Sequence, residues 1–209
     1  PRLLLVWLIT EIVKTKSRRI TFGDSLTSFM RELGLKPTGG RWGTIPQLRE
    51  QMERLFSSRI VAFEYAETGR EMRQLTVADG YSLWWSPVNP HQVTLFESHI
   101  LVGEQFFNEV MSGRYPVSMG ILSAVKRSPL GIDLYTWLTY RVSYLKEPVA
   151  ISWEQLHGQF GADYSGKNAV MEFARKAKKE LMKLRVAWPD LRYSTPRGRL
   201  VLYPSAPSV

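Results

Sequence analysis

The chain has 209 residues, no cysteine, and a formal charge of +9 from 28 basic and 19 acidic side chains. That length suits one large domain or two small ones, and the missing cysteine excludes disulfides, thiolate metal sites and cysteine nucleophiles. An excess of Lys and Arg favours a polyanionic partner, because basic groups release counterions condensed on phosphates.

The longest apolar run, Leu3 to Ile9, is too short to span a bilayer, and no cleavable signal pattern follows it. The abrupt start at Pro1 fits a chain that begins inside a longer protein. Leu3, Val6, Trp7, Ile9 and Val13 form a helical stripe, and Arg19-Ile20-Thr21-Phe22 is short and β-prone. Asp24 or Ser25 then caps a helix carrying Leu26, Phe29, Met30 and Leu33, which Lys36-Pro37-Thr38-Gly39-Gly40 breaks. Thr44 with Gln47 is a capping-box signature, Pro46 suits a first turn, and Ile45, Leu48, Met52, Leu55 and Phe56 share one face. Ile60–Tyr65, a Thr68-Gly69 turn and Met72–Val77 read as a hairpin. From Gly80 to Val110 the pattern predicts further strands or a short helix, broken at Pro87 and Pro90. Ser112 to Pro116 is the linker candidate, and Ser118 to Lys126 a short helix.

The order then repeats. A long helix bearing Leu134, Trp137 and Leu138 ends at Pro148, Val149–Ile151 is a short strand, and Ser152 with Gln155 caps the next helix. Gly161 to Gly166 breaks the chain, residues 167–185 form a charged amphipathic helix, and Val186–Trp188 with Leu200–Tyr203 make a final hairpin. Sliding the chain by 130 residues lays Trp7-Leu8 on Trp137-Leu138; after the loop the slide becomes 125, and Ile45 falls on Val170 and Phe56 on Leu181. Helix, strand, helix, helix, hairpin is the winged-helix plan. The expected fold is α+β, with tandem duplicated winged-helix domains over residues 1–112 and 113–209.

Charge separates the two copies. Residues 1–150 hold 18 basic and 14 acidic side chains, whereas residues 151–209 hold 10 and 5. Turning 100° per residue, the helix from Lys167 to Arg185 presents Asn168, Glu172, Arg175 and Lys179 opposite its apolar face, flanked by Lys176, Met182 and Lys183. Asn and Arg make bidentate contacts to adenine and guanine edges, Glu accepts from cytosine, and lysines further along suit phosphates. The helix from Thr44 presents Gln47, Glu50, Gln51 and Arg54, with Arg49 at the edge and Arg41 just before it. That mixture suits either base reading or packing against a second protomer. Arg70 and Arg73 on the first hairpin, and Arg192, Arg197 and Arg199 on the second, are placed to follow phosphates or a minor groove. Trp42, in the turn before the first of these helices, either locks that turn or stacks on a ribose.

No catalytic constellation emerges. Gly161 to Lys167 has the GxxxxGK spacing, yet Asn168 stands where a magnesium-binding Ser or Thr belongs, and the loop follows a helix instead of a strand. His91, His99 and His157 form neither a metal-binding pair nor an HExxH. The expectation is a protein that is not an enzyme, with no cofactor and no metal.

Thr38-Gly39-Gly40-Arg41-Trp42-Gly43-Thr44, followed by Leu48-Arg49-Glu50-Gln51-Met52-Glu53-Arg54-Leu55, resembles the plasmid-encoded RepA replication initiators. Pro1-Arg2-Leu3-Leu4 and Lys14-Thr15-Lys16-Ser17 resemble that family too. The resemblance implies a cytoplasmic protein that binds repeated double-stranded sites (iterons) at a plasmid origin, opens adjacent DNA and recruits host replication proteins. It also implies a switch between monomers that initiate and a homodimer that represses its own gene. A winged-helix transcriptional regulator at a promoter operator is the alternative, and a module that meets other proteins is a third reading.

Overall fold

Apolar side chains at helical spacing build the first element, α1 (Arg2–Thr15), which turns Leu4, Trp7, Leu8 and Ile12 inward and ends at Lys16 in the left-handed region. The structure, a computed structural model, describes residues 1–209 except 67–68, 87–88, 95, 114–116, 163 and 209, and except the side chains of 62–66 and 70. The chain is α+β and divides into two units, Pro1–Arg114 and Tyr115–Val209. Among the described residues no helix is long and apolar enough to cross a membrane.

In the first unit β1 (Arg19–Thr21) leads to α2 (Leu26–Glu32). Ser25 is its cap, accepting from the Ser28 N–H at 3.2 Å. α3 (Thr44–Phe56), β2 (Arg59–Ala66), β3 (Gly69–Thr76), β4 (Ala78–Ser82), β5 (His99–Val102) and α4 (Glu104–Ser112) follow. The ambiguous stretch after Gly80 thus holds strands and a helix. Phe22 is the hub of the core: the rings of Trp7, Phe29, Phe56 and Trp85 lie 5.2–5.7 Å from its own. Offset and edge-on aromatic packing of this kind adds to the burial of large apolar surfaces.

The two strands of the expected hairpin are paired, β2 and β3 being antiparallel in register from Arg59↔Thr76 to Ala66↔Gly69, while Thr68 of the expected turn lies outside the described residues. The pair forms a two-stranded sheet of its own and does not join β1. β1 pairs instead with β5, which pairs with β4, giving the antiparallel order β1-β5-β4. Arg18 fastens this sheet, donating from Nε to the Val102 carbonyl at 2.9 Å and pairing with Asp79.

The second unit runs α5 (Met119–Val125), α6 (Pro129–Ser143), β6 (Val149–Ser152), α7 (Trp153–Phe160), α8 (Ala169–Ala187), β7 (Tyr193–Ser194) and β8 (Arg199–Leu202). Its sheet has the order β6-β8-β7, all antiparallel. Ser152 and Gln155 close a reciprocal capping box on α7, as their spacing predicts. α8 packs on α5, α6 and α7 through Phe173, Ala177, Leu181 and Leu184, all fully buried.

The final hairpin differs from expectation. Val186 and Ala187 remain helical, and the Trp188 N–H closes the helix on the Leu184 carbonyl at 2.7 Å. Trp188 is buried while Val186 is 84% exposed, so these residues follow the helical period of α8 and not an extended strand. The hairpin starts later, at Tyr193. Its tip turns at Gly198, whose φ of +81° suits the third position of a type II turn, and the Arg199 N–H reaches the Pro196 carbonyl at 3.3 Å.

Candidate nucleic-acid interface

α8 owes its length to helix formers and its orientation to one apolar stripe; the opposite stripe is charged. Glu172, Arg175, Lys176, Lys179, Met182 and Lys183 are all exposed, in the arrangement the 100° step predicts. Lys167 and Asn168 are exposed as well, but they lie in the turn before the helix, with Asn168 as its N-terminal flank. Asn168 makes no side-chain cap.

These cations are not equivalent. Lys183 binds both oxygens of Glu180, at 2.8 and 2.9 Å, and Glu180 is itself buried beside Gly131 of α6. Lys183 therefore neutralises a buried carboxylate and has little charge to offer a phosphate. Lys176 folds back over the Tyr164 ring at 5.1 Å. Lys167, Arg175 and Lys179 have no partner among the described residues, which leaves them as the free positive charges of this face.

Arg192, Arg197 and Arg199 are exposed around the β7–β8 hairpin, as predicted from sequence. Arg185, at the end of α8, lies over the Tyr193 ring of β7 at 5.8 Å and ties the helix to that hairpin. Burial raises the Tyr193 phenol above its usual range, and Arg185 opposes that shift. Its exposure adds a further cation between helix and hairpin.

In the first unit α3 is the helix whose outer face the sequence pattern offers as a second candidate. Gln47 and Arg54 are exposed, whereas Arg49 and Gln51 are half-buried. Arg54 pairs with Glu50 one turn back, so the outer face is close to neutral. Arg73 pairs with Glu71 at 3.0 Å. The side chain of Arg70 lies outside the described residues; its backbone pairs with Tyr65 in the hairpin.

The capping box expected at Thr44 does not form: α3 has Gly43 at its N-terminal flank and no side-chain cap from it. Thr38 supplies the partners instead. Its Oγ1 accepts from the Thr44 N–H at 2.9 Å, and its carbonyl accepts from the Ile45 N–H at 3.2 Å. Thr44 returns the contact, accepting from the Thr38 N–H at 2.9 Å and donating to the Lys36 carbonyl at 2.7 Å. The neck is tight enough that a Cβ on Gly43 would stand 2.2 Å from the Thr38 oxygen. Gln47 Nε2 donates to the Trp42 carbonyl at 3.3 Å. Thus the backbone of Trp42 is held, but its side chain is 82% exposed and locks nothing. Arg41 lies over its ring at 5.3 Å.

Among the described residues no group of three or more His, Asp or Glu is placed to hold a metal ion. His157 Nε2 lies 3.3 Å from the Tyr164 carbonyl, inside the fold of the loop before α8.

Comparison with protein families finds that the model described as plasmid encoded RepA protein matches residues 1–155. The matched residues cover the first unit and continue to the opening of α7. No curated protein and no solved structure matches the chain.

Proposed function

The chain belongs to the plasmid-encoded RepA family and is a plasmid replication protein, and from that premise we propose that it initiates replication by reading duplex DNA at repeated origin sites. The observation that carries this reading is the outer face of α8, where Arg175 and Lys179 stand exposed and unpaired opposite a fully buried stripe. A helix fixed in this way offers a guanidinium for bidentate contact with guanine and an ammonium for phosphate. Lys167 and the first turn of α8, left without a cap from Asn168, suit an adjacent phosphate.

The β6-β8-β7 sheet and its arginine-bearing hairpin support a winged-helix reading of the second unit. In that reading Arg192, Arg197 and Arg199 follow the backbone beside the groove entered by α8. The first unit contributes Gln47, Arg49 and Gln51 as a second, weaker reader, with Arg41, Arg54, Arg70 and Arg73 toward phosphates. The protein is not an enzyme and uses no cofactor; it works in the cytoplasm, helps open the origin and recruits host replication proteins. A homodimer through the first unit represses its own gene.

Selection of bound sequences from random duplexes, followed by footprinting, tests this. Direct repeats with protection of more than one major groove are expected. An inverted repeat would favour a promoter operator, and salt-insensitive binding without sequence preference would end the proposal.

A further inference from the structure

Trp42 is an exception among the tryptophans. Trp7, Trp85, Trp153 and Trp188 are buried, and Trp84 leans on Phe96 at 5.3 Å. Trp42 is 82% exposed on a loop whose neck is closed by the Thr38–Thr44 hydrogen bonds, and Arg41 is its one ring partner among the described residues. The loop is therefore built to hold an indole in water, beside a guanidinium, directly ahead of α3.

We infer that Arg41 and Trp42 form a stacking site for an unpaired DNA base. An indole and a guanidinium are planar groups on which any base can stack, and such platforms recur where proteins hold single strands. The bases of an intact duplex already stack on each other, so this ring has no open face to meet there. A phosphate is the poorer occupant of the loop: the Thr44 and Ile45 amides are bonded to Thr38, Pro46 has none, and Gln47 N–H goes to the Gly43 carbonyl. Lys36 and Arg41 are both exposed and supply positive charge for the backbone of the strand, with Lys36 at the neck of the loop. The Arg41–Trp42 loop then holds separated DNA, apart from the duplex read by α8 and, more weakly, by α3.

This site goes beyond duplex reading and is measured apart from it. Anisotropy of labelled oligodeoxythymidylate, in the full chain, should show Trp42→Ala weakening single-strand binding on the order of tenfold. Trp42→Phe should stay close to the unsubstituted chain, and Trp42→Leu should match Trp42→Ala. Binding of the selected duplex and the melting temperature should not change in any of the three. The proposal is overturned if the unsubstituted chain ignores single strands, or if Trp42→Ala binds them unchanged. It is also overturned if leucine serves as well as phenylalanine, which would point to an apolar protein partner, or if duplex binding or melting falls in step. Failure of Arg175→Ala to alter duplex recognition would count against the proposed function alone.

Discussion

The two units differ most in where their charge is free. Residues 1–114 hold 14 basic and 12 acidic side chains, and residues 115–209 hold 14 and 7, so the second unit carries +7 of the +9. α3 and α8 are both amphipathic, yet Arg54 on α3 is cancelled by Glu50 while Arg175 and Lys179 on α8 stand alone. The starts of the helices differ in the same sense. Thr38 occupies the first amides of α3, whereas Asn168 gives α8 no side-chain cap. Their hairpins diverge as well: β2–β3 is long and separate, and β7–β8 is short and completes the sheet with β6. The two units thus present unlike surfaces, one with unpaired cations on α8 and one that displays the Trp42 indole.

The largest effect expected is on folding of the second unit. Leu181→Ala removes a fully buried side chain and should cost about 2–5 kcal/mol, read by chemical denaturation; the exposed Met182→Ala on the same helix should stay within about 0.5 kcal/mol. A similar loss for both would break the distinction between the two faces of α8. Next comes Arg175→Ala, which should weaken the selected site by roughly 1–3 kcal/mol and relax preference at one base pair, measured by competition among single-base variants. Loss of the α7 cap in Ser152→Ala should lower stability by about 1 kcal/mol, whereas the same change at Thr44, whose role is in the loop neck, should disturb Trp42 and leave α7 untouched. The smallest effect belongs to Arg54→Ala, whose exposed pair with Glu50 is worth about 0–1 kcal/mol. Duplex affinity that falls more for Arg54→Ala than for Arg175→Ala would reverse the comparison.

Local pattern made the helices legible, and distance hid the rest. The stripes of α3 and α8 repeat every turn, so Ile45, Leu48, Met52, Phe173 and Leu181 identify their own buried faces. Val186-Ala187-Trp188 misleads because a short β-prone run at a helix end looks the same as a strand; the bond from Trp188 N–H to Leu184 decides it. Thr44 and Gln47 have capping-box spacing, but the Thr44 hydroxyl is claimed by Lys36, eight residues back. The pairing of Arg19 with Leu101 closes a loop of 82 positions, which no local period announces. At the interface, exposure of Arg175 and Lys179 follows from the helical step, while the neutralisation of Lys183 depends on Glu180 being buried beside Gly131. The indole of Trp42 was visible as a residue but not as a surface, since its exposure depends on the Thr38–Thr44 clasp.

The salt dependence of duplex binding tests the central claim most directly. Each phosphate contact removed should lower the slope of log affinity against log salt by about 0.9. With the selected duplex, Lys167→Ala combined with Lys179→Ala should flatten the slope by nearly two such steps, and Arg49→Ala combined with Arg54→Ala by less than one. Equal flattening by both pairs, or a greater loss from the α3 pair, would contradict an account in which α8 carries the protein onto DNA.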